Sequence, residues 1–209
     1  MLIIFGGLPG VGKTTIAREL ARQIGAMHLR IDAMEQAIRA SGVTSQPLND
    51  AGYRVAYAVA EDNLRIGRTV IADSVNPLQL TRDAWLEVAN RVPVSFIEIE
   101  VNCSDAGEHR RRVETRITDI PGLRLPTWEE VAAREYHAWN REHLVIDTAG
   151  RTVAQNVNII REALPELRPA TRPPRITGKP ERTKLLLVCR LFTIDPHAQS
   201  VLLPDSRET

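Results

Sequence analysis

Cysteine is nearly absent from this chain. Cys103 and Cys189 are its only two, too few and too far apart for a disulfide framework or a metal-ligand cluster, and they read as reduced thiols of a cytosolic protein. Aromatic residues make up 4% of the sequence and form no stripe on which bases could stack. Trp85, Trp128, Tyr136 and Trp139 are therefore expected to be packing residues, and His143, at the start of a strand-like run, a structural one. Neither sign of charge dominates. The 27 Lys and Arg against 26 Asp and Glu leave a formal charge of +1, which argues against a surface devoted to nucleic acid and leaves only a local patch open. No apolar run approaches the ~18 residues needed to cross a membrane. The apolar start is too short for a signal peptide. The expectation is a soluble, cytoplasmic protein, and 209 residues suffice for one full domain plus an appendage.

What is present begins at once. Gly7-Leu8-Pro9-Gly10-Val11-Gly12-Lys13-Thr14 fits the phosphate-binding pattern G-x-x-x-x-G-K-[ST]. Leu2–Phe5 before it reads as a buried strand, and Ile16, Leu20 and Ile24 after it recur every four residues, as on the inner face of a helix. Strand, Gly-rich turn and helix are the setting this motif needs. The glycines let successive N–H groups curl around a polyphosphate, and the helix start adds unpaired N–H groups and a positive dipole end. Gly7, Gly10, Val11, Gly12, Lys13 and Thr14 thus form a nucleoside triphosphate site. Lys13 neutralises the outer phosphates, and the Thr14 hydroxyl ligates Mg²⁺.

Strand-like and helix-like segments alternate as far as Leu164. The strands are expected at Leu2–Phe5, Met27–Ile31, Thr69–Ala72, Val94–Val101 and His143–Ile146. The helices are expected at Thr14–Ile24, Ala33–Ala40, Asp50–Ile66, Leu78–Asn90, Ser104–Ile117, Thr127–Trp139 and Val153–Leu164. Such alternation implies an α/β fold, a parallel sheet with helices on both faces, and ligands beyond the carboxyl ends of the strands. Residues 1–164 form the expected domain, with a lid at about 104–139. Beyond it, Pro165, Pro169, Pro173, Pro174 and Pro180 break any helix, and residues 168–190 hold seven basic residues against one acid. This stretch reads as a linker or surface arm, followed by a short strand or tail to residue 209.

Two acids fall at strand ends. Asp32 follows the second strand, where a carboxylate can orient an acceptor hydroxyl and take its proton. Asp32-Ala-Met-Glu35 also has capping-box spacing, so a helix cap is the plain alternative. Arg30 and Arg39 either clamp an anionic substrate or are solvated charges. Asp73 ends the third strand, where a carboxylate holds Mg²⁺ directly or through its water. Alternatively, Asp73 or Asn76 only stabilises the turn before Pro77.

The helix after the fourth strand carries Arg110, Arg111, Arg112 and Arg116. Arg112 and Arg116, four apart, share a face and suit the charge of a phosphoryl group in transfer. The alternative pairs Arg112 with Glu108 on a solvated helix. Residues 119–126 read as a flap with a Pro121-Gly122 turn and Arg124 as a weaker candidate.

On these motifs, with Val145-Ile-Asp147-Thr148 near the end, residues 1–164 resemble the small P-loop kinases of the nucleotide-kinase-like superfamily. The likeness is to the AAA-type ATP-binding kinase group, beside chloramphenicol phosphotransferase-like, zeta-toxin-like and polynucleotide-kinase-like proteins. The resemblance implies a P-loop NTPase three-layer sandwich, with a five-stranded parallel sheet in order 2-3-1-4-5 and a small helical lid. It implies transfer of the ATP γ-phosphate to a hydroxyl, with Thr15 on an inner phosphate, Asp32 as the acceptor-side base, lid arginines over the nucleotide, and residues 147–150 beside the adenine. Polynucleotide kinases carry an arginine three residues after that aspartate, where this chain has Glu35. No feature of an AAA+ motor and no GTPase N-K-x-D follows the loop. The expected protein is an ATP- and Mg²⁺-dependent kinase, monomer or homodimer, acting on a small molecule such as a sugar, sugar acid, nucleoside or antibiotic-like metabolite. Its catalytic residues are Lys13, Asp32, Arg112 and Arg116, and its metal-binding residues Thr14 and Asp73. A polynucleotide 5′-hydroxyl kinase using the basic arm, and a non-catalytic ATP-binding module, are the alternatives.

Overall fold

A computed structural model gives the structure of residues 1–43 and 47–165. The expectations for the linker arm, the basic stretch, the tail and Cys189 fall outside the described residues.

Five strands, Leu2–Gly6 (β1), Met27–Arg30 (β2), Val70–Asp73 (β3), Phe96–Asn102 (β4) and Leu144–Asp147 (β5), form one parallel sheet in the order β2-β3-β1-β4-β5. Seven helices join them among the described residues: Lys13–Ile24 (α1), Ile31–Ala40 (α2), Ala51–Arg65 (α3), Gln79–Arg91 (α4), Ala106–Thr115 (α5), Trp128–Ala132 (α6) and Val153–Ala163 (α7). This is the P-loop sandwich expected from the sequence.

β1 explains the layering. Successive side chains on a strand point to opposite faces. Ile3 and Phe5 enter one core with Ile16, Ala17 and Leu20 of α1 and Val157 and Ile160 of α7. Leu2 and Ile4 enter the other, with Ala56, Ala60 and Leu64 of α3 and Trp85 and Val88 of α4. A strand buried on both faces must be apolar throughout, hence the unbroken Leu2-Ile-Ile-Phe run. Each large side chain so buried contributes about 1.5–3 kcal/mol.

Register sets where the chemistry lies. Phe5 and Arg30 both pair with Asp73, Gly6 with Glu100, and Asn102 with Asp147, so the carboxyl ends of the strands finish at one edge. The loops carrying the polar motifs all leave from that edge.

Two helices are much shorter than the sequence pattern predicts. The segment expected as Thr127–Trp139 is helical only over Trp128–Ala132, opened by a capping box between Thr127 and Glu130. The rest is claimed by Arg82. This fully buried side chain donates to the carbonyls of Asn76 (2.9 Å), Pro77 (3.2 Å), His137 (2.7 Å) and Ala138 (3.2 Å). Its guanidinium lies 4.2 Å from the Trp139 ring centre. The His137 N–H donates to Pro77 O (2.8 Å) in place of a carbonyl one turn back, so tertiary bonding overrides local propensity here. The expected Ser104–Ile117 helix begins on an Asp105 cap and ends at Thr115, because Arg116 is extended (φ −67, ψ 145).

The aromatics pack as expected. Trp85 is fully buried with Tyr57 edge-on at 4.6 Å, and Trp128 stands edge-on to His109 at 5.2 Å. His143 bridges the Arg141 carbonyl and Glu100.

Candidate active site

The phosphate loop turns between β1 and α1 because its glycines permit it. Gly7 has φ +132, and a Cβ there would collide with the Val101 carbonyl oxygen; Gly12 has φ +98 and precedes the helix. The loop is then tied down from outside. Gly7 N donates to Val75 O (2.9 Å), His109 Nε2 donates to Pro9 O (2.9 Å), and the Thr148 hydroxyl lies 2.9 Å from Val11 O. Lys13 Nζ donates to Leu8 O (2.9 Å). Burial pushes the Lys13 ammonium down to about 8, against the opposing pull of Asp73 and then Asp32.

A cavity of about 880 Å³ opens over this loop. Gly10, Gly12, Lys13, Thr14, Thr15, Asp32, Asp73, Arg112 and Arg116 all line it, so the expected donor-side and acceptor-side residues share one space. Gly7 and Val11, also expected to bind nucleotide, do not line it. The Gly7 N–H is spent on Val75, and the Val11 side chain is buried in the core, 2% exposed. Both shape the loop from behind.

On the acceptor side the capping alternative for Asp32 fails. The helix N-cap is Arg30, and Asp32 sits exposed in the first turn, where no side-chain cap bond forms. Arg30 is not a solvated charge. Its side chain is only 16% exposed, NH1 donates to Asp119 Oδ1 (2.6 Å), and its buried Nε has no partner. Arg18 reaches the other Asp119 oxygen (2.6 Å). The bonds from Arg30 and then Arg18 hold the Asp119 carboxyl well below the usual carboxylate range. Arg39 also borders the cavity, where it pairs with Glu35 at 3.4 Å.

The two arginines expected on a lid differ, and they do not share a helical face as the spacing suggested. Arg112 donates to Glu108 (2.5 Å), to the Thr148 hydroxyl (2.8 Å) and to the Thr148 carbonyl (3.1 Å). It joins α5 to the loop after β5. Arg116 lies past the helix end with buried Nε and NH2 unpartnered. Burial lowers its pKa; Asp32 opposes this, while Arg134 and Arg30 reinforce it. Arg124 lies at the cavity rim, exposed and paired with Glu130 (2.7 Å).

Asp73 is 3% exposed, and His28 Nε2 donates to its Oδ2 (3.1 Å). Thr14 and Asp73 thus bring a hydroxyl and a carboxylate to one cavity, the hard oxygens that suit Mg²⁺ shared with phosphates. Asn76 serves the turn: fully buried at φ 46, it donates from Nδ2 to Phe5 O (2.7 Å). Asp147 clips the β5 loop to Ser104 through N (2.9 Å) and Oγ (2.5 Å).

Arg18, His28, Asp119 and Arg134 were not singled out as site residues. Only Arg18 had a signal, lying three and four residues after Thr15 and Thr14 on one helical face.

The fold and this cavity define the class: a P-loop protein of the nucleotide-kinase-like type. The AAA domain family model matches residues 2–125, and the chain belongs to that family. A shikimate kinase of Frankia casuarinae is 31% identical over 176 residues, covering 78% of this chain and 72% of that protein. Among solved structures, Mycobacterium tuberculosis APS kinase CysC with AMPPNP and APS superposes with TM-score 0.58 at 19% identity, covering 77% of this chain and 95% of that one. Chaetomium thermophilum Kti12 with ADP-AlF3 gives TM-score 0.58 at 20% identity, over 79% of this chain and all (100%) of the other. The chain is a P-loop phosphotransferase of the kinase type, which sets aside the non-catalytic module. No helix among the described residues is long and apolar enough to cross a membrane.

Proposed function

We propose that the protein transfers the γ-phosphoryl group of ATP, with Mg²⁺, to a hydroxyl of a small molecule. The observation that supports this reading is the sharing of one cavity by Lys13, Thr14, Asp32, Asp73 and Arg116, with Asp32 free of capping duty. The phosphate loop holds the triphosphate against main-chain amides, and Lys13 leaves the Leu8 carbonyl to meet the outer phosphates. Thr14 and Asp73 hold the metal ion, which when bound neutralises phosphate charge. Asp32 orients the acceptor hydroxyl and takes its proton as the oxygen attacks the γ-phosphorus. The bond to the bridging oxygen breaks, and ADP leaves. Arg116 supplies the donors that meet charge on the transferring group, and its unpartnered N–H groups are the reason to assign it this role. Arg112 acts as a positioning residue, fixing α5 against the Thr148 loop.

ADP release, assayed over a panel of hydroxylated metabolites with and without Mg²⁺, tests the reading. At least one metabolite is expected to raise release above ATP hydrolysis, with Lys13→Ala abolishing it and Asp32→Asn reducing kcat by about 10²–10⁴. Acceptor-dependent release that survives Asp32→Asn unchanged would remove Asp32 from the mechanism.

A further inference from the structure

The acceptor side carries more positive charge than its protein partners neutralise. Arg18, Arg30, Arg116 and Arg134 all border the cavity around Asp32. The first two share the single carboxylate of Asp119, and Arg116 has two buried donor atoms without a partner. A triphosphate with its metal accounts for Lys13 and Arg116. It does not account for Arg30, which stands at the N-cap of α2, two residues before Asp32, with a buried Nε unpartnered. Guanidinium N–H groups left dry and unpaired cost more than the pairing they forgo, so a site of this kind is built for an anion that arrives.

Asp119 shows where that anion binds. It belongs to the irregular segment between α5 and α6, is 55% exposed, and meets Arg30 and Arg18 at 2.6 Å each. The Arg18–Asp119 pair is more than half exposed on both sides, so water screens it and leaves the carboxylate open to exchange.

Resting on the kinase reading of this cavity, we infer that Arg30 docks an oxyanion group of the acceptor, a carboxylate or a phosphate ester, and that Asp119 occupies that place until the acceptor displaces it. The acceptor is therefore a hydroxylated anion rather than a neutral alcohol. Its charged group rests on Arg30 while its hydroxyl faces Asp32. Asp119 and Arg116 are three residues apart on one segment, so displacement of the first moves the loop that carries the second.

The test is binding, measured by calorimetry on the full chain saturated with Mg²⁺ and a non-hydrolysable ATP analogue. The probes are two matched sets: glycerol, glycerate and glycerol phosphate, and glucose, gluconate and glucose phosphate. A charged member of a set is expected to bind where its neutral partner does not, and the tighter of acid and ester names the anion. Arg30→Gln should weaken the charged probe roughly tenfold or more, with Arg30→Lys recovering part of the loss. Asp119→Asn should tighten it roughly two- to fivefold. Neutral members binding as tightly as charged ones, no charged member binding, or Arg30→Gln matching wild type would each overturn the inference. Should Arg30→Gln fail to fold, the Asp119→Asn variant decides, and unchanged affinity for the charged probe counts against the idea. Charged probes that bind yet release no ADP from ATP would keep the anion subsite and sink the transfer reading. ADP release driven equally by neutral alcohols would do the reverse.

Discussion

The two ends of the cavity are made differently. The donor end comes from one short stretch of chain, Gly7 to Thr15, and presents mainly backbone. Its turn is held by bonds to Leu8, Pro9, Val11 and Gly7 from Lys13, His109, Thr148 and Val75. The end proposed for the acceptor is made of side chains, Arg30, Asp32, Arg116, Asp119 and Arg134, from three separate segments. There the ties are ion pairs, and several donors have no partner. A triphosphate is the same in every such enzyme and is met by a rigid, preorganised cradle. An acceptor varies, and long charged side chains can change partners without disturbing a core.

The sharpest break of that comparison is Arg116→Ala. If its free donors serve the transferring group, kcat should fall by on the order of 10³ while ATP affinity changes much less. Equal loss in both would place Arg116 on the donor side as a binding residue. A smaller effect, on stability, is expected from Arg82→Met. Four carbonyls lose their donor, and chemical denaturation should show a loss of about 2–3 kcal/mol. Near-native stability would mean that residues 136–139 are not held by Arg82.

Lys13 gives a pH test of the donor end alone. Its ammonium, pushed down by burial to about 8, is charged below that pH and loses its proton above it. Triphosphate needs the charged form, so binding takes up a proton in the alkaline range. ATP affinity should be flat below pH 8 and fall above it, by at most about tenfold per pH unit. Calorimetry in buffers of different ionisation heat would register the uptake. Affinity constant to pH 10 would show that the amine is not what titrates. The smallest effect is expected for Arg112→Gln, under about tenfold in kcat, because its donors already serve Glu108 and Thr148.

The donor end was legible because its signals are local. Strand, glycine turn and helix start lie within the first 24 residues, and the pattern that dictates backbone shape also names the chemistry. Asp32 and Asp73 were legible by position, as polar residues ending apolar strands. The ion pair between Arg30 and Asp119 was not, since those residues stand 89 apart and neither spacing nor periodicity links them. The helix expected to Trp139 fails for a related reason: the His137 N–H bonds Pro77 O in the loop before α4 rather than a carbonyl of its own turn.

The sequence by itself therefore determined the layered sheet, the triphosphate cradle and the acid beside it, because apolar periodicity and φ-permissive glycines act over a few residues. Only the tertiary structure decided which arginines remain unpartnered, where α6 stops, and which carboxylate sits on Arg30. Charge pairing and desolvation depend on neighbours that the fold alone brings together.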